Sequence, residues 1–498
     1  MTMTDPQFLS TFTWQIARKT LPPVLALAAL SSNAMADKVT GLSDSQESGA
    51  SNIVDVCVGL NAKATGNNDI NIPPTDAQVA TLTSNEQDLL RRCADAIEAG
   101  GLGIKADRAT AKTNAEAKIA LSQIAPDEIA AQGTTSVRAV NVQQDNIAAR
   151  ISALQSGFRG VSVGQLSLNL DGRQFTGNDL LSMSGGSAGE SGGRARLGAF
   201  INGQFNFGDK EATGREAGFD FDGGGLTVGL DYFISGRAFV GAAVGVNTTS
   251  IDIDHHGGGL DTDTVSLSLY GSFFQSDKFH INGLLEYAND DHSTRRNLDY
   301  TLNETSGGCC EVGLTGDTVR VNQAALGSAD GDQFTVAVNL GYSLGQGGFS
   351  YGPLLDLSYT KVNIDAFDER MSNPEAVGRG LALHIASQEI TSTKSELGFA
   401  VDHTGSQTWG VLTQQLRLSW LHEFDDDNRL IEAHYLYDPA KVPLNLNTDD
   451  IDSDYFSVNL GLSAGLSRGR SAYFSYGTLI GLEDITYHGL NAGYRMEF

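Results

Sequence analysis

The sequence predicts an all-β transmembrane barrel of about 12 antiparallel strands, preceded by a small, mainly α-helical N-terminal region. Three observations predict it. From Arg194 onward, apolar residues alternate with small or polar ones in segment after segment. The connections between those segments alternate between tight turns and long polar stretches. The last segment runs to Phe498 with an unbroken apolar face. Successive strand side chains point to opposite faces, so lipid on one side and water on the other write this pattern.

The terminal strand shows it most clearly. Leu490, Ala492, Tyr494, Met496 and Phe498 share one face, and Asn491, Gly493, Arg495 and Glu497 share the other. In a closed barrel such a strand pairs with the first and leaves no free edge, so the expected partner is Leu197 to Phe207. Earlier segments repeat the alternation. Leu226, Val228, Leu230 and Tyr232 oppose Thr227, Gly229 and Asp231; Val265, Leu267 and Leu269 oppose Ser266, Ser268 and Tyr270. The same pattern returns at Phe334 to Tyr342, Tyr351 to Tyr359, Leu416 to Trp420 and Phe456 to Leu466, and weakly around Leu397 to Val401. Residues 234–237, 275–278 and 467–470 read as tight turns, whereas 209–218, 248–262, 290–330, 363–381 and 425–454 read as long, mostly acidic loops.

The inner face is Gly, Ser, Asn, Asp and Glu, which would not fill the core of a soluble sandwich. Glu286, Asp356, Arg417, Glu423, Arg495 and Glu497 fall on it, where charges in a narrow lumen pair with one another or hold a plugging segment.

Composition fits this class. The 498 residues include 58 Gly and only 10 Pro, with a formal net charge of -27. Mean hydropathy is -0.17 and no apolar run is long enough for a spanning helix, but lumen-facing polar residues hide barrels from hydropathy. The acidic balance argues against nucleic acid, which selects clustered Lys and Arg. On an outer surface it keeps loops solvated and apart, or bridges to lipid phosphates through divalent cations.

Residues 1–36 read as a signal peptide: Arg18-Lys19, the apolar segment LPPVLALAAL and the small–x–small Ala34-Met35-Ala36 before Asp37. An exported chain permits disulfides. Residues 37–125 read as a short helical region. In LTSNEQDLLRRCADAIEAGG, Leu89, Leu90, Cys93 and Ile97 share a face, with Ser84 and Gln87 as the expected capping box. Four cysteines allow three pairings; the favoured ones are Cys57 with Cys93 and Cys309 with Cys310. Residues 126–193 read as a junction helix, with Val140, Ile147, Ile151, Leu154 and Phe158 as its stripe, followed by a Gly/Ser-rich linker. The stripe is expected to pack on neighbouring helices.

Catalytic and metal chemistry find little footing. All 9 His lie between 255 and 488, so the N-terminal region cannot hold a Ser-His-Asp triad. GLSDS at 41–45 lacks the order of an esterase nucleophile motif. His255-His256 beside Asp252, Asp254, Asp261 and Asp263 reads as a solvated loop before it reads as a metal site, and the acidic runs at 425–428 and 449–454 lack calcium-loop spacing. The expectation is no enzyme activity, no cofactor and no metal.

LGAFINGQFNFGDKEATGREAGFDFDGGGLTVGLDYFI, SELGFAVDHT, RLSWLHEFDDDNR and HGLNAGYRMEF closely resemble the translocator barrel of bacterial autotransporters, the type V secretion family. The resemblance spans residues 194–498, and upstream LSQIAPDEIAAQGTTSV and VQQDNIAARISAL are similar to the segment that this family places before its barrel. It implies a 12-stranded pore threaded by a helix or linker, located in the outer membrane. It implies as partners periplasmic chaperones, outer-membrane lipid and the assembly machinery, which reads the strand Leu490, Ala492, Tyr494, Met496, Phe498. It also makes 37–125 a passenger, although no solenoid periodicity is present there. Some family members cut the linker at an Asn; Asn146 and Asn178 are candidates by position. The leading expectation is a barrel that translocates or displays a short passenger; the alternative is a pore or structural protein whose N-terminal region is a periplasmic or lumen plug.

Overall fold

The computed structural model describes residues 42–70, 72, 74–100, 102, 114–124, 147, 151, 167–170, 173–176, 197–254, 258–276, 278–303, 318–466 and 470–497. Expectations placed on 1–36, His255-His256, Cys309-Cys310, Asn146, Asn178 and Phe498 lie outside them.

Twelve antiparallel strands form a closed barrel: β1 (Leu197–Lys210), β2 (Phe219–Ser235), β3 (Ala238–Ile253), β4 (Gly259–Phe274), β5 (Phe279–Asn303), β6 (Thr318–Tyr342), β7 (Phe349–Ile364), β8 (Gln388–Gln407), β9 (Gly410–Glu423), β10 (Asp454–Leu466), β11 (Arg470–Ile480) and β12 (Ile485–Glu497). β12 closes on β1 from Ile485↔Lys210 to Glu497↔Gly198, with Leu490 opposite Phe205. That pairing satisfies the backbone at both would-be edges.

The outward face is the apolar one. Val228, Leu230, Leu267, Leu269, Leu418 and Leu460 are about half exposed. Aromatics bound this band: Tyr232, Phe273, Trp409 and Tyr494 toward the short turns, and Phe205, Tyr287, Trp420 and Phe456 toward the loops. Trp409 and Trp420 bracket one strand, about 37 Å along its path and roughly 25–30 Å along the barrel axis at the usual tilt, the height of a bilayer's hydrocarbon layer.

β5 and β6 differ from the sequence expectation. Each runs 25 residues, in register from Phe279↔Tyr342 to Asn303↔Thr318, so most of 290–330 is a projecting hairpin instead of a loop. Likewise, strand occupies most of 248–262, with only residues 254–258 between β3 and β4. The pairing continues because Leu298, Tyr300, Leu302, Val321 and Ala325 bury one face beyond the membrane band.

That face packs on the N-terminal helices α1 (Asp44–Thr65), α2 (Asp76–Val79), α3 (Ser84–Gly100) and α4 (Asn114–Ile124). Ser43 and Gln46 form a capping box that starts α1, and Gly66 in the left-handed region ends it. α3 is capped by Thr83 with Glu86, one residue before the expected pair: Thr83 N donates to Glu86 Oε2 at 2.9 Å. Leu60, Leu89, Ile97 and Leu121 are fully buried, each contributing about 1.5–3 kcal/mol. Cys57 and Cys93 form a disulfide between α1 and α3. A four-stranded sheet completes the layer (Phe367–Asp368, Leu383–Ile385, Leu430–Tyr435 and Leu444–Asn447), supplied by the excursions after β7 and β9.

Candidate functional site: the lumen and its helical cap

Inside the barrel, small and large residues interlock across neighbouring strands. Phe200 lies opposite Gly229, Tyr270 opposite Gly241, His280 opposite Gly341 and Tyr473 opposite Gly493. A Cβ at Gly241 would come 2.3 Å from Tyr270 Cζ, and one at Gly229 would come 2.4 Å from Phe200 Cε1. The rings lie flat over glycines because only glycine leaves that space, which pins the register of each pair.

At the turn end, Ile147 and Ile151 pack against Phe200, Phe239, Ala243, Tyr270, Phe274 and Leu284. Four residues apart, they share a helix face. This corrects the sequence expectation: their apolar stripe meets the barrel wall, not neighbouring helices. An aromatic inner wall at that level offers them apolar ground.

The predicted lumen charges fall into separate groups. Arg417 bridges Asp356 at 2.5 Å and Glu396 at 2.8 Å. Arg495 faces Asp231 at 3.9 Å and lies over the Phe233 ring, while the Tyr270 hydroxyl donates to Asp231. Glu286 accepts from Ser268 Oγ at 3.1 Å, and Glu423 from Ser392 Oγ at 2.6 Å. The side chain of Glu497 lies outside the described residues. On β12, Ala492, Tyr494 and Met496 are exposed outward and Leu490 is half-buried.

Above the lumen the helices join the barrel rim through buried polar contacts that sequence reasoning missed. Asp88 of α3 accepts from Gly380 N at 2.8 Å and Gly378 N at 3.2 Å. Gln123 of α4 clamps the Asp299 backbone, its Oε1 accepting at 2.6 Å and its Nε2 donating at 3.1 Å. Arg296 of β5 forms a bidentate pair with Glu369 at 3.0 and 2.5 Å and also donates to the carbonyls of Gln123 and Leu381. Polar residues on separate helices, a strand and loops share no periodic signal, so only their three-dimensional meeting reveals them.

The rim's titratable groups respond to burial. It pushes the Tyr300 and Tyr435 hydroxyls up from their ordinary range. Burial also raises Glu216, even though Lys210 lies 3.3 Å away. His434 is held below the ordinary histidine range by burial, with His384 and Lys441 repelling its cationic form. The His384 and His434 rings are 4.7 Å apart, and His384 Nδ1 lies 2.6 Å from Asp368. Among the described residues, no group of three His, Cys, Asp or Glu is placed to hold a metal.

The autotransporter β-domain family model matches residues 199–477, more than half of the chain. No curated protein matches. Among solved structures, the chain is similar to the translocator domain of autotransporter NalP from Neisseria meningitidis (17% identity; 65% of this chain and 94% of that chain covered; TM-score 0.46). It is also similar to the β-domain of the Bordetella autotransporter Brka (16%; 61% and 100%; 0.37) and to the transport unit of autotransporter AIDA-I from Escherichia coli (9%; 61% and 90%; 0.35). Together with the closed 12-stranded barrel, the family match identifies this chain as a member of the autotransporter family, a β-barrel of the bacterial outer membrane.

Proposed function

We propose that this barrel carries its own short helical region to the outer side of the membrane and keeps it there as a displayed, non-enzymatic cap. One observation carries the reading. A single apolar core runs from α1, α3 and α4 through the upper parts of β5 and β6 to the rim sheet, at the barrel end that bears the long loops. A region destined for release would not share its core with the anchor. Insertion by the outer-membrane assembly machinery, with periplasmic chaperones before it, follows the family. The alternative, a pore with its N-terminal region as a plug, draws support from Ile147 and Ile151 inside the lumen.

Protease added to intact cells tests the display reading. Cleavage between α1 and α3 should leave the fragments linked through Cys57–Cys93 until a reductant parts them. Protection until the outer membrane is permeabilised would favour the plug.

A further inference from the structure

Where β1 ends at the outer rim, a buried lysine lies against two carboxylates. Lys210 is the last residue of β1, and Glu216 follows in the loop before β2; their side chains are only 3% and 2% exposed. Lys210 Nζ lies 2.6 Å from Asp449 Oδ2 and 3.3 Å from Glu216 Oε2. The cross-strand neighbours of Lys210 are Phe219 and Ile485, which pack in an apolar cluster with Phe221, Ile251 and Tyr487. The amine end of the lysine is therefore held away from water, between groups that react with amines.

Each member of the group is fixed by its own contacts. Asp449 N donates to Glu216 Oε1 at 2.9 Å, which leaves Oε2 toward the lysine. Thr213 Oγ accepts from the backbone N–H groups of Arg215 at 3.1 Å and Glu216 at 3.0 Å. Its own proton is thereby left for Asp449, whose Oδ1 and Oδ2 lie 2.9 and 2.8 Å away. A second buried carboxylate beside the same ammonium adds a desolvation cost that a simple ion pair does not need. Burial raises the Glu216 carboxyl above its ordinary range, so it takes up a proton more readily than a carboxylate in water.

Amide formation needs a nucleophilic amine, a carboxyl polarised by a hydrogen-bond donor, and a third group that moves protons. A nitrogen 2.6 Å from a carboxyl oxygen lies roughly 3–3.5 Å from the carbon that carries it, a near-attack separation. We propose that Lys210 and Asp449 join in an isopeptide bond, with Glu216 as the proton shuttle. The Lys210 ammonium gives one proton to Asp449, and the free amine attacks Cγ. Thr213 donates to the oxygen on which negative charge develops. Glu216 takes a second proton from the nitrogen and delivers it to the departing oxygen. The Cγ–N bond forms, the Cγ–O bond breaks and one water leaves, while the third ammonium proton stays on the amide. Nothing is oxidised or reduced, and Glu216 ends as it began. The Asp449 side chain is 22% exposed, which gives that water its way out. The bond fastens β1 to the excursion after β9, across 239 residues of sequence.

Peptide mass analysis of the reduced full chain from outer membranes tests it. Trypsin should leave the bond after Lys210 uncut and yield a branched peptide joining the segments of Lys210 and Asp449, one water lighter than their sum. Boiled and reduced, the chain should run faster in a denaturing gel than Lys210→Arg, because its loop stays closed. Glu216→Gln keeps the shape of the site and should slow bond formation by about a hundredfold or more, so that freshly made chains are unjoined. Cleavage after Lys210 in the unaltered chain, with both segments at full mass, marks a plain ion pair and overturns the proposal. A branched peptide that forms in Glu216→Gln at the ordinary rate overturns the shuttle.

Discussion

Asp88 of α3 accepts the backbone N–H of Gly380 at 2.8 Å, tying the N-terminal helices to a barrel loop 292 residues further along the chain. Gly380 must be glycine there, since a Cβ would sit 2.5 Å from both Asn85 O and Leu89 N. Gly380→Ala is therefore expected to push α3 off the rim, and Asp88→Ala to leave two buried amides unsatisfied at about 1–3 kcal/mol each. Both variants should speed proteolysis of the cap in detergent, while the barrel's heat-modifiable migration stays as it was.

Arg296 and Glu369 are each only a few per cent exposed, so neither charge has water to fall back on. Arg296→Ala strands a buried carboxylate and should cost about 3–5 kcal/mol of cap stability. Arg296→Lys should not restore it, because an ammonium cannot reproduce the fork that holds Glu369 and two carbonyls. Hydrogen exchange of the β5–β6 projection, which rises on losing the cap, measures both.

The disulfide closes α1 onto α3 across 36 residues of sequence. Cys57→Ser with Cys93→Ser should lower the cap's stability by roughly 3 to 4 kcal/mol on the loop-entropy model. Denaturant titration of the cap, followed by protease sensitivity, checks the magnitude. The barrel transition should be unmoved.

Acid should loosen the rim sheet. Folding depresses the pKa of His434, so the unfolded state binds the proton first as pH falls. Cap stability is therefore complete above the ordinary histidine value of about 6.5 and declines as pH drops below it toward the depressed value. His434→Phe should flatten the pH dependence of cap protease resistance between about pH 7 and 5.

Much of the barrel is legible in the sequence because lipid and water impose a two-residue period. The outward face of Tyr494 and Met496 follows from that period, and the pairing of the last strand with Leu197 to Phe207 from the need to close the barrel, whereas the register that sets Leu490 opposite Phe205 comes from the structure. It fails where a strand leaves the membrane. Leu298, Tyr300 and Leu302 keep the alternation, yet Arg295, Asp299 and Arg320 on the other face read as loop residues, so the projection of β5 and β6 stayed hidden. Ile147 and Ile151 show the converse limit: their helical spacing is visible, but not the aromatic wall that receives it. The junction of cap and rim was illegible altogether, since Asp88, Gln123, Arg296 and Glu369 belong to different segments and share no periodicity.

The central claim is that α1, α3 and α4 form one folded unit with the outer rim of the barrel. A membrane-impermeant maleimide on intact cells carrying Ile72→Cys tests it most directly, because Ile72 is 51% exposed between α1 and α2. Labelling of the full-length, membrane-embedded chain without permeabilisation is the expected result. Label that enters only after the outer membrane is breached, or that is recovered on a fragment shed into the medium, would contradict it.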